Sequence, residues 1–246
     1  MNYGTHGKCM QPSDLQMYAV CMHDMPLKFA SQTNMQVVIA NACKLTIEQR
    51  TFHEIQGHLL DDEGHSISML NPWWGELTAV YWLMINSNAQ LIGNCQYRRF
   101  WDEDALARAD ERVLYTSKPC AFNCSLATQF KGGHSFPGIE MTMALAEAGK
   151  LPFSAEEMAA VWNQNVFQGG PMLFGPRQSY ERVMNRLFDC LWPIWEEFKE
   201  PIMTLQGYDQ RAMAFLSERL LSGLMLYKEK FFGSMPMSRA PMGFIG

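Results

Sequence analysis

The stretch Asn71-Pro-Trp-Trp-Gly-Glu-Leu-Thr-Ala-Val-Tyr-Trp-Leu-Met-Ile-Asn86, followed after a short break by Leu91-Ile-Gly-Asn-Cys-Gln-Tyr-Arg-Arg99, decides the fold. It reads as an amphipathic helix and then a strand. Asn71 stands where an N-cap belongs and Pro72 at the first helical position. Leu77, Val80, Tyr81 and Met84 fall on one helical face. The strand, read from Leu91 to Phe100, ends in two adjacent arginines on a chain of formal net charge -5. Side chains along a strand alternate between its faces, so Arg98 and Arg99 cannot both enter an apolar core. At least one must meet solvent, a carboxylate or an anionic ligand.

Outward from this stretch, Met17–Met22 and Met35–Ala40 read as short buried strands. Asp61-Asp-Glu-Gly64-His-Ser66 is an acidic turn. Asp102 opens a helix with acid in its first turn, as the helix dipole favours. Pro137–Ala148 is helical with Gly149 closing it, and Ser154-Ala-Glu-Glu157 has capping-box spacing. From Pro176 to Lys199 the apolar positions keep a helical stripe, and Asp209 is placed to cap a last helix running to Lys230. Residues 1–14 and the Met/Pro/Gly-rich tail 233–246 read as poorly ordered. Strands alternate with helices early and helices dominate late, with no repeat or composition break. The chain is therefore expected to form a single α/β domain with a helical C-terminal third.

At 246 residues and 48% hydrophobic composition the chain can bury a substantial core. Twenty basic against 25 acidic residues give no basic footprint for sequence-independent nucleic-acid binding. Seven cysteines in no small-domain pattern, no leader-like N-terminus and no apolar run of membrane-spanning length point to a cytoplasmic protein without a membrane span. The nineteen methionines read as adaptable core filler.

Several familiar chemistries find no support. His53-Glu-Ile-Gln-Gly-His58 has a spacing of five, which on a continuous helix swings the second imidazole about 140° away from the first. Cys120 and Cys124 are zinc-like in spacing, but only isolated Cys43, Cys95 and His134 are offered as partners. A P-loop, a G-x-G-x-x-G fingerprint and a serine nucleophile elbow are all absent. Asp102-Glu-Asp104 has the form that holds a divalent ion against a diphosphate, although helix N-terminal signals already explain these acids. What remains is a cluster of Asp61, Gly64, Glu76, Tyr81, Arg98 and Arg99. Its arginines are either salt-bridge partners of Glu76 or Asp102, or a fork that clamps a diphosphate. Periodicity leaves both open.

Taken in order, these blocks resemble a bacterial glycosyltransferase-like family first catalogued as a domain of unknown function, DUF4422. The carrying residues are Met22-His23-Asp24; Asp61-Asp-Glu-Gly64-His-Ser-Ile67-Ser68; Asn71 through Glu76-Leu-Thr-Ala-Val-Tyr81-Trp82 to Asn86; and Ile92-Gly93-Asn-Cys-Gln96-Tyr97-Arg98-Arg99-Phe100. Pro171–Tyr180 and Asp209-Gln-Arg211 through Phe215-Leu-Ser-Glu218-Arg219 are similar to later family segments, so the resemblance runs over about residues 17–225. Three positions depart from the pattern: Gln96 replaces a histidine, Asp24 a lysine and Pro171 an asparagine. Gln96 keeps hydrogen-bonding capacity and loses titration.

The resemblance implies a GT-A-like nucleotide-diphospho-sugar transferase fold, with a mostly parallel sheet and the donor at the strands' C-terminal edge. It implies transfer of a hexosyl group from a UDP-sugar to a hydroxyl acceptor, a saccharide first among the candidates. Arg98 and Arg99 would neutralise the leaving diphosphate and Glu76 would orient an arginine or the sugar. Glu218 or Asp209 would serve as base. His23, Asp61, Gly64, Tyr81, Gln96, Tyr97 and Arg219 would border the donor. No divalent metal (Mn or Mg) is expected to be required; Asp102 and Asp104 are the ligands if one binds. The rivals are a non-catalytic sugar-, nucleotide- or partner-binding descendant of the fold, and a transferase acting on a nucleic-acid base or a protein.

Overall fold

The computed structural model of the chain describes residues 14–29 and 35–245. Cys9 and residues 1–13 of the expected lead-in lie outside them. β1 (Leu15–Cys21) is buried along nearly its whole length, as a strand flanked on both faces must be. Beside it runs β2 (Met35–Ile39), with Val20 opposite Val38. α1 (Ile47–Ile55), opened by a complete Thr46–Gln49 capping box, leads to the two-residue β3 (Leu59–Leu60).

Two short helices follow where the sequence suggested one. α2 (Asn71–Trp74) and α3 (Leu77–Asn86) are separated by Gly75, whose φ of 54° and ψ of -135° lie where only glycine goes readily. Asn71 is the first residue of α2 rather than its cap; its buried amide donates to the Gly75 carbonyl at 2.8 Å and to Thr78 Oγ1 at 3.1 Å. The break leaves Glu76 at the head of α3.

β4 (Leu91–Gln96) pairs with β1 in parallel, and the expected single strand to Phe100 is two. Tyr97 and Arg98 form a turn, and β5 (Arg99–Trp101) comes back antiparallel, with Gln96 opposite Arg99. No glycine or asparagine marks that turn in the sequence. Beyond it lie α4 (Glu103–Ala107), β6 (Leu114–Ser117), β7 (Cys120–Ala121), α5 (Leu126–Gly133), α6 (Gly138–Glu147), α7 (Ala155–Asn163) and β8 (Val166–Phe167). Ser154 and Glu157 form the capping box expected of them. β9 (Leu173–Pro176) enters α8 (Arg177–Met203) directly. α9 (Ala212–Leu226) and α10 (Lys228–Phe232) divide the last expected helix, and Asp209 sits in a short turn ahead of α9 instead of capping it. The tail expected to fray instead adds β10 (Met237–Ala240), parallel to β6, and β11 (Met242–Phe244), antiparallel to β5. These strands are too short and too broken by Pro241 and glycine to show a period in sequence.

Among the described residues the main sheet runs β10-β6-β9-β4-β1-β2-β3, with β5 and β11 branching from β4. Only β9 on this path opposes its neighbours. Strand order reverses beside β1: β2 and β3 lie to one side, β4 to the other, the switch point at which open α/β sheets place a ligand, outside the C-terminal ends of the strands. Tyr18 and Val20 face one apolar core with α3 and α6–α9; Met17, Ala19 and Cys21 face a second with Trp101 and Phe174.

One buried acid ties the β1–β3 half of the sheet to α3. Asp61, fully buried after β3, accepts from the amides of Asn41 (3.3 Å) and Ala42 (3.0 Å), from Ser68 Oγ (2.5 Å) and from Thr78 Oγ1 (2.7 Å). Asn41 holds a left-handed φ of 63° in that turn. Asp61→Ala orphans these donors at once, so a loss of about 3 kcal/mol in unfolding free energy is expected from urea titration. A loss under about 1 kcal/mol would deny the carboxylate this role.

Candidate functional site

At the C-terminal edge of β4 the chain gathers charge. Gln96, the last residue of β4, donates through Nε2 to Glu76 Oε2. Glu218, on the first half of α9, takes the Gly170 amide and an ion pair from Arg219 Nη1 at 3.0 Å. Gly170, with φ of 77°, packs so closely that a side chain there would approach Arg99 Nη1 and Gln96 Nε2 at 3.4 Å. The loop carrying Gly170 is pinned by Asn94 of β4, which donates to the Pro171 carbonyl at 2.8 Å and accepts from the Leu173 amide at 3.1 Å. Nothing in the sequence pattern singles out Asn94.

The electrostatics of the cluster are uneven. Burial first, and then the neighbouring Glu218 carboxylate, push the Glu76 carboxyl up to about 7 against the pull of Gln96, Arg99 and Arg211. Burial likewise raises Glu218, opposed by Arg219, Arg99 and Arg211. Yet neither Arg99 nor Arg211 reaches a carboxylate in an ion pair among the described residues. Arg211 lies over the rings of Tyr208 and Phe215, each 5.4 Å away, and Arg99 lies 6.0 Å from the Phe244 ring. Two acids, one with a near-neutral pKa, thus share a site with two cations free of ion pairs. Such a site favours an anionic guest and can exchange a proton near neutral pH.

Of the expected site residues, Glu76, Gln96, Arg99 and Glu218 come together here. Arg98, in the turn, stacks instead on Tyr97 (5.3 Å) and Phe244 (5.2 Å). Tyr97 sits in the same turn, its amide on the Val20 carbonyl at 3.0 Å. The others make contacts within the fold. Asp61 spends its oxygens on the network above. Gly64, at φ 63°, lets Asn86 approach to within 2.7 Å of where a side chain would begin. Tyr81 packs against Phe188 (5.3 Å) and Trp192 (6.2 Å). Asp209 binds His134 Nδ1 (2.9 Å) and Ser135 N (2.8 Å) and Oγ (2.5 Å). Arg219 is buried between Phe130 and Phe167 and donates to Gln129 Oε1 at 2.5 Å. Its Nη1 also meets Glu218 at 3.0 Å. Asp102 caps α4 through the Ala105 amide at 2.9 Å, and Asp104 is exposed beside Arg108. Arg211 is the site residue that the sequence failed to mark, hidden in an irregular turn before α9.

His23, exposed just past β1, holds a different partner. Its Nδ1 lies 3.0 Å from His53 Nε2, and His53 Nδ1 lies 2.9 Å from His58 Nδ1. The angular separation expected of His53 and His58 fails because α1 ends at Ile55. Gly57, at φ 70°, then turns the chain back with the His58 amide on the His53 carbonyl at 3.0 Å. Among the described residues no group of His, Cys, Asp or Glu forms a metal-holding set. Cys120 and Cys124 are exposed free thiols. A groove of about 650 Å³ between the start of α8 and the α10–β10 connection is lined by both signs of charge, such as Arg182 and Glu181, and lies at the opposite edge of the sheet.

This sheet order and the crevice beside β1 define a GT-A-like fold. The apo structure of WbbM, a bifunctional glycosyltransferase, superposes with a TM-score of 0.72 at 17% identity, over 95% of this chain and 45% of that one. The chain thus spans less than half the length of that neighbour. The family model for the domain of unknown function DUF4422 matches residues 17–121, the part that holds the Glu-Leu-Thr and Tyr-Arg-Arg blocks. Pro171–Tyr180 and Asp209–Arg219 lie beyond it. No curated protein matches the chain. No helix among the described residues is long and apolar enough to cross a membrane.

The raised Glu76 pKa has a sign. The fold binds a proton there that the unfolded chain has lost above about 4.5, so Glu76 costs stability progressively as pH climbs from there through about 7. Glu76→Gln keeps an acceptor for Gln96. It should make the protein more stable than wild type at pH 8 by about 2 kcal/mol, the gain fading toward pH 4.5. Denaturant titrations at the two pH values check this, and a pH-independent difference would refute the assignment.

Proposed function

We propose that the chain is a glycosyltransferase that moves a hexosyl group from a UDP-sugar to a hydroxyl acceptor. The observation that carries this reading is the placement of Arg99 and Arg211, neither in an ion pair among the described residues, near Glu76 and Glu218 at the C-terminal edge of a GT-A-like sheet. In the proposed step the acceptor oxygen forms a bond to the anomeric carbon and the bond from that carbon to the diphosphate oxygen breaks. Glu76, with a pKa near the working pH, takes the acceptor's proton. Arg99 and Arg211 meet the charge that builds on the departing UDP, the electrostatic work a divalent ion does elsewhere. Glu218, held by Arg219 and the Gly170 amide, keeps the two guanidinium groups facing the crevice. His23, on the donor side of the edge, borders the nucleotide.

Purified protein is incubated with a panel of UDP-sugars and sugar acceptors, with UDP release as the readout. Arg99→Ala and Arg211→Ala should each lower turnover by about 10²-fold, the usual cost of losing a preorganised charge partner. Arg98→Ala, which loses only ring contacts at the turn, should cost less than about tenfold. Chelation of divalent ions should leave the rate unchanged. UDP binding without turnover on any acceptor would favour a non-catalytic sugar- or nucleotide-binding protein. No thermal shift with any UDP-sugar would reject the donor reading altogether.

A further inference from the structure

The C-terminal edge of the sheet has a second half, which the donor does not need. β1, β2 and β3 lie to one side of the Glu76–Glu218 cluster; β6 and β10 lie to the other, and both run in the same direction as β1. At the ends of β6 and β10 a cavity of about 200 Å³ opens between the β7–β8 ribbon and α9, with Gln164, Gln168, Ser222, Met225, Leu226 and Arg239 among its lining. We propose that this cavity is an acceptor subsite that holds one sugar unit carrying a carboxylate or phosphate group. The inference rests on the transferase reading above and names what its acceptor looks like.

Three features of the lining point to such a guest. Gln164 Nε2 is buried with no hydrogen-bond partner among the described residues, a donor whose desolvation is uncompensated until an acceptor arrives. Arg239 is exposed and forms no ion pair among the described residues, and no carboxylate lines the cavity with it. Met225 and Leu226 supply an apolar wall for the C–H face of a sugar ring. The volume is below what a drug-sized ligand fills, which suits a single ring and not an extended chain.

The cavity is also wired to the reacting groups. The Gln168 side chain donates to the Ser117 carbonyl at 2.9 Å, and its amide donates to Ser222 Oγ at 2.8 Å. Ser222 Oγ in turn donates to the Glu218 carbonyl at 2.7 Å, one helical turn back along α9. Two residues after Gln168, Gly170 packs against Arg99 and Gln96 and donates to Glu218. The segment 168–170 is therefore the wall shared by cavity and cluster. A sugar seated beside Gln168 and Ser222 therefore lies across the segment 168–170 from Arg99, Gln96 and Glu218.

The test titrates the full chain with glucuronate, glucose 6-phosphate and glucose, following ligand-observed NMR, in wild type, Arg239→Gln and Leu226→Trp. Neither variant touches the Glu76–Arg99 cluster, and Leu226 is exposed enough to accept the larger ring. Wild type should bind the anionic sugars about threefold more tightly than glucose, the scale of a partly exposed ion pair. Arg239→Gln should erase that preference, and Leu226→Trp should abolish binding of all three sugars. A preference confined to glucuronate or to glucose 6-phosphate supports the proposal and identifies the group. Equal binding of glucose, a preference that survives Arg239→Gln, or binding that survives Leu226→Trp each overturns it. A UDP thermal shift run in parallel separates the two ideas. UDP binding without anionic preference rejects the subsite alone, and no UDP binding rejects the donor reading together with the acceptor role built on it.

Discussion

A single buried carboxylate holds the working edge in shape. Asp61 gathers the turn after β2, the loop after β3 and the first turn of α3 onto two oxygens. Through Thr78 it reaches Asn71, whose amide fixes the Gly75 carbonyl at the break between α2 and α3. That break is why Glu76 starts a helix at the crevice instead of lying inside a longer one. A charge buried this deeply is tolerable only when every lone pair has a donor. The acidic turn of the sequence thus contributes architecture.

The same pattern recurs across the site. Arg219, expected beside the donor, and Asp209, expected as a base, each make several contacts within the fold: Arg219 lies between two aromatic rings and pairs with Glu218, and Asp209 clasps His134 and Ser135. Beside Glu76 and Glu218, Arg99 and Arg211 form no ion pair among the described residues. Electrostatic frustration of this kind, two cations near two acids that do not close on them, destabilises the empty site and favours a guest that supplies the missing charge.

Much of the fold was legible before any coordinates. Buried strands announced themselves by apolar runs at Met17–Met22 and Met35–Ala40, their parallel pairing was what the resemblance implied, and the Ser154 capping box and the Gly149 helix stop are local signals that tertiary packing leaves alone. Legibility failed where long-range pairing decides. The Tyr97–Arg98 turn carries no turn residue and forms because β11 supplies an edge for β5. β9 and β10 are too short to show a period. His53 and His58 meet because Gly57 ends α1 early, so an angular argument valid on a continuous helix does not apply. In the site, Glu76, Gln96, Arg99 and Glu218 were reachable from residue type and order, whereas Arg211, Asn94 and Gly170 act through geometry that spacing does not encode.

The pairing of β11 with β5 sets Phe244 opposite Arg99. The strand that bears the central cation therefore gains its outer neighbour from some of the last described residues to leave the ribosome. Such a contact closes a very long loop, the kind of pairing that comes late and slowly in folding. Until that pairing forms, the strand that carries Arg99 lacks its outer neighbour, so the edge around Glu76 and Arg99 is completed only after the closer pairings of β1 with β2 and β4 are in place.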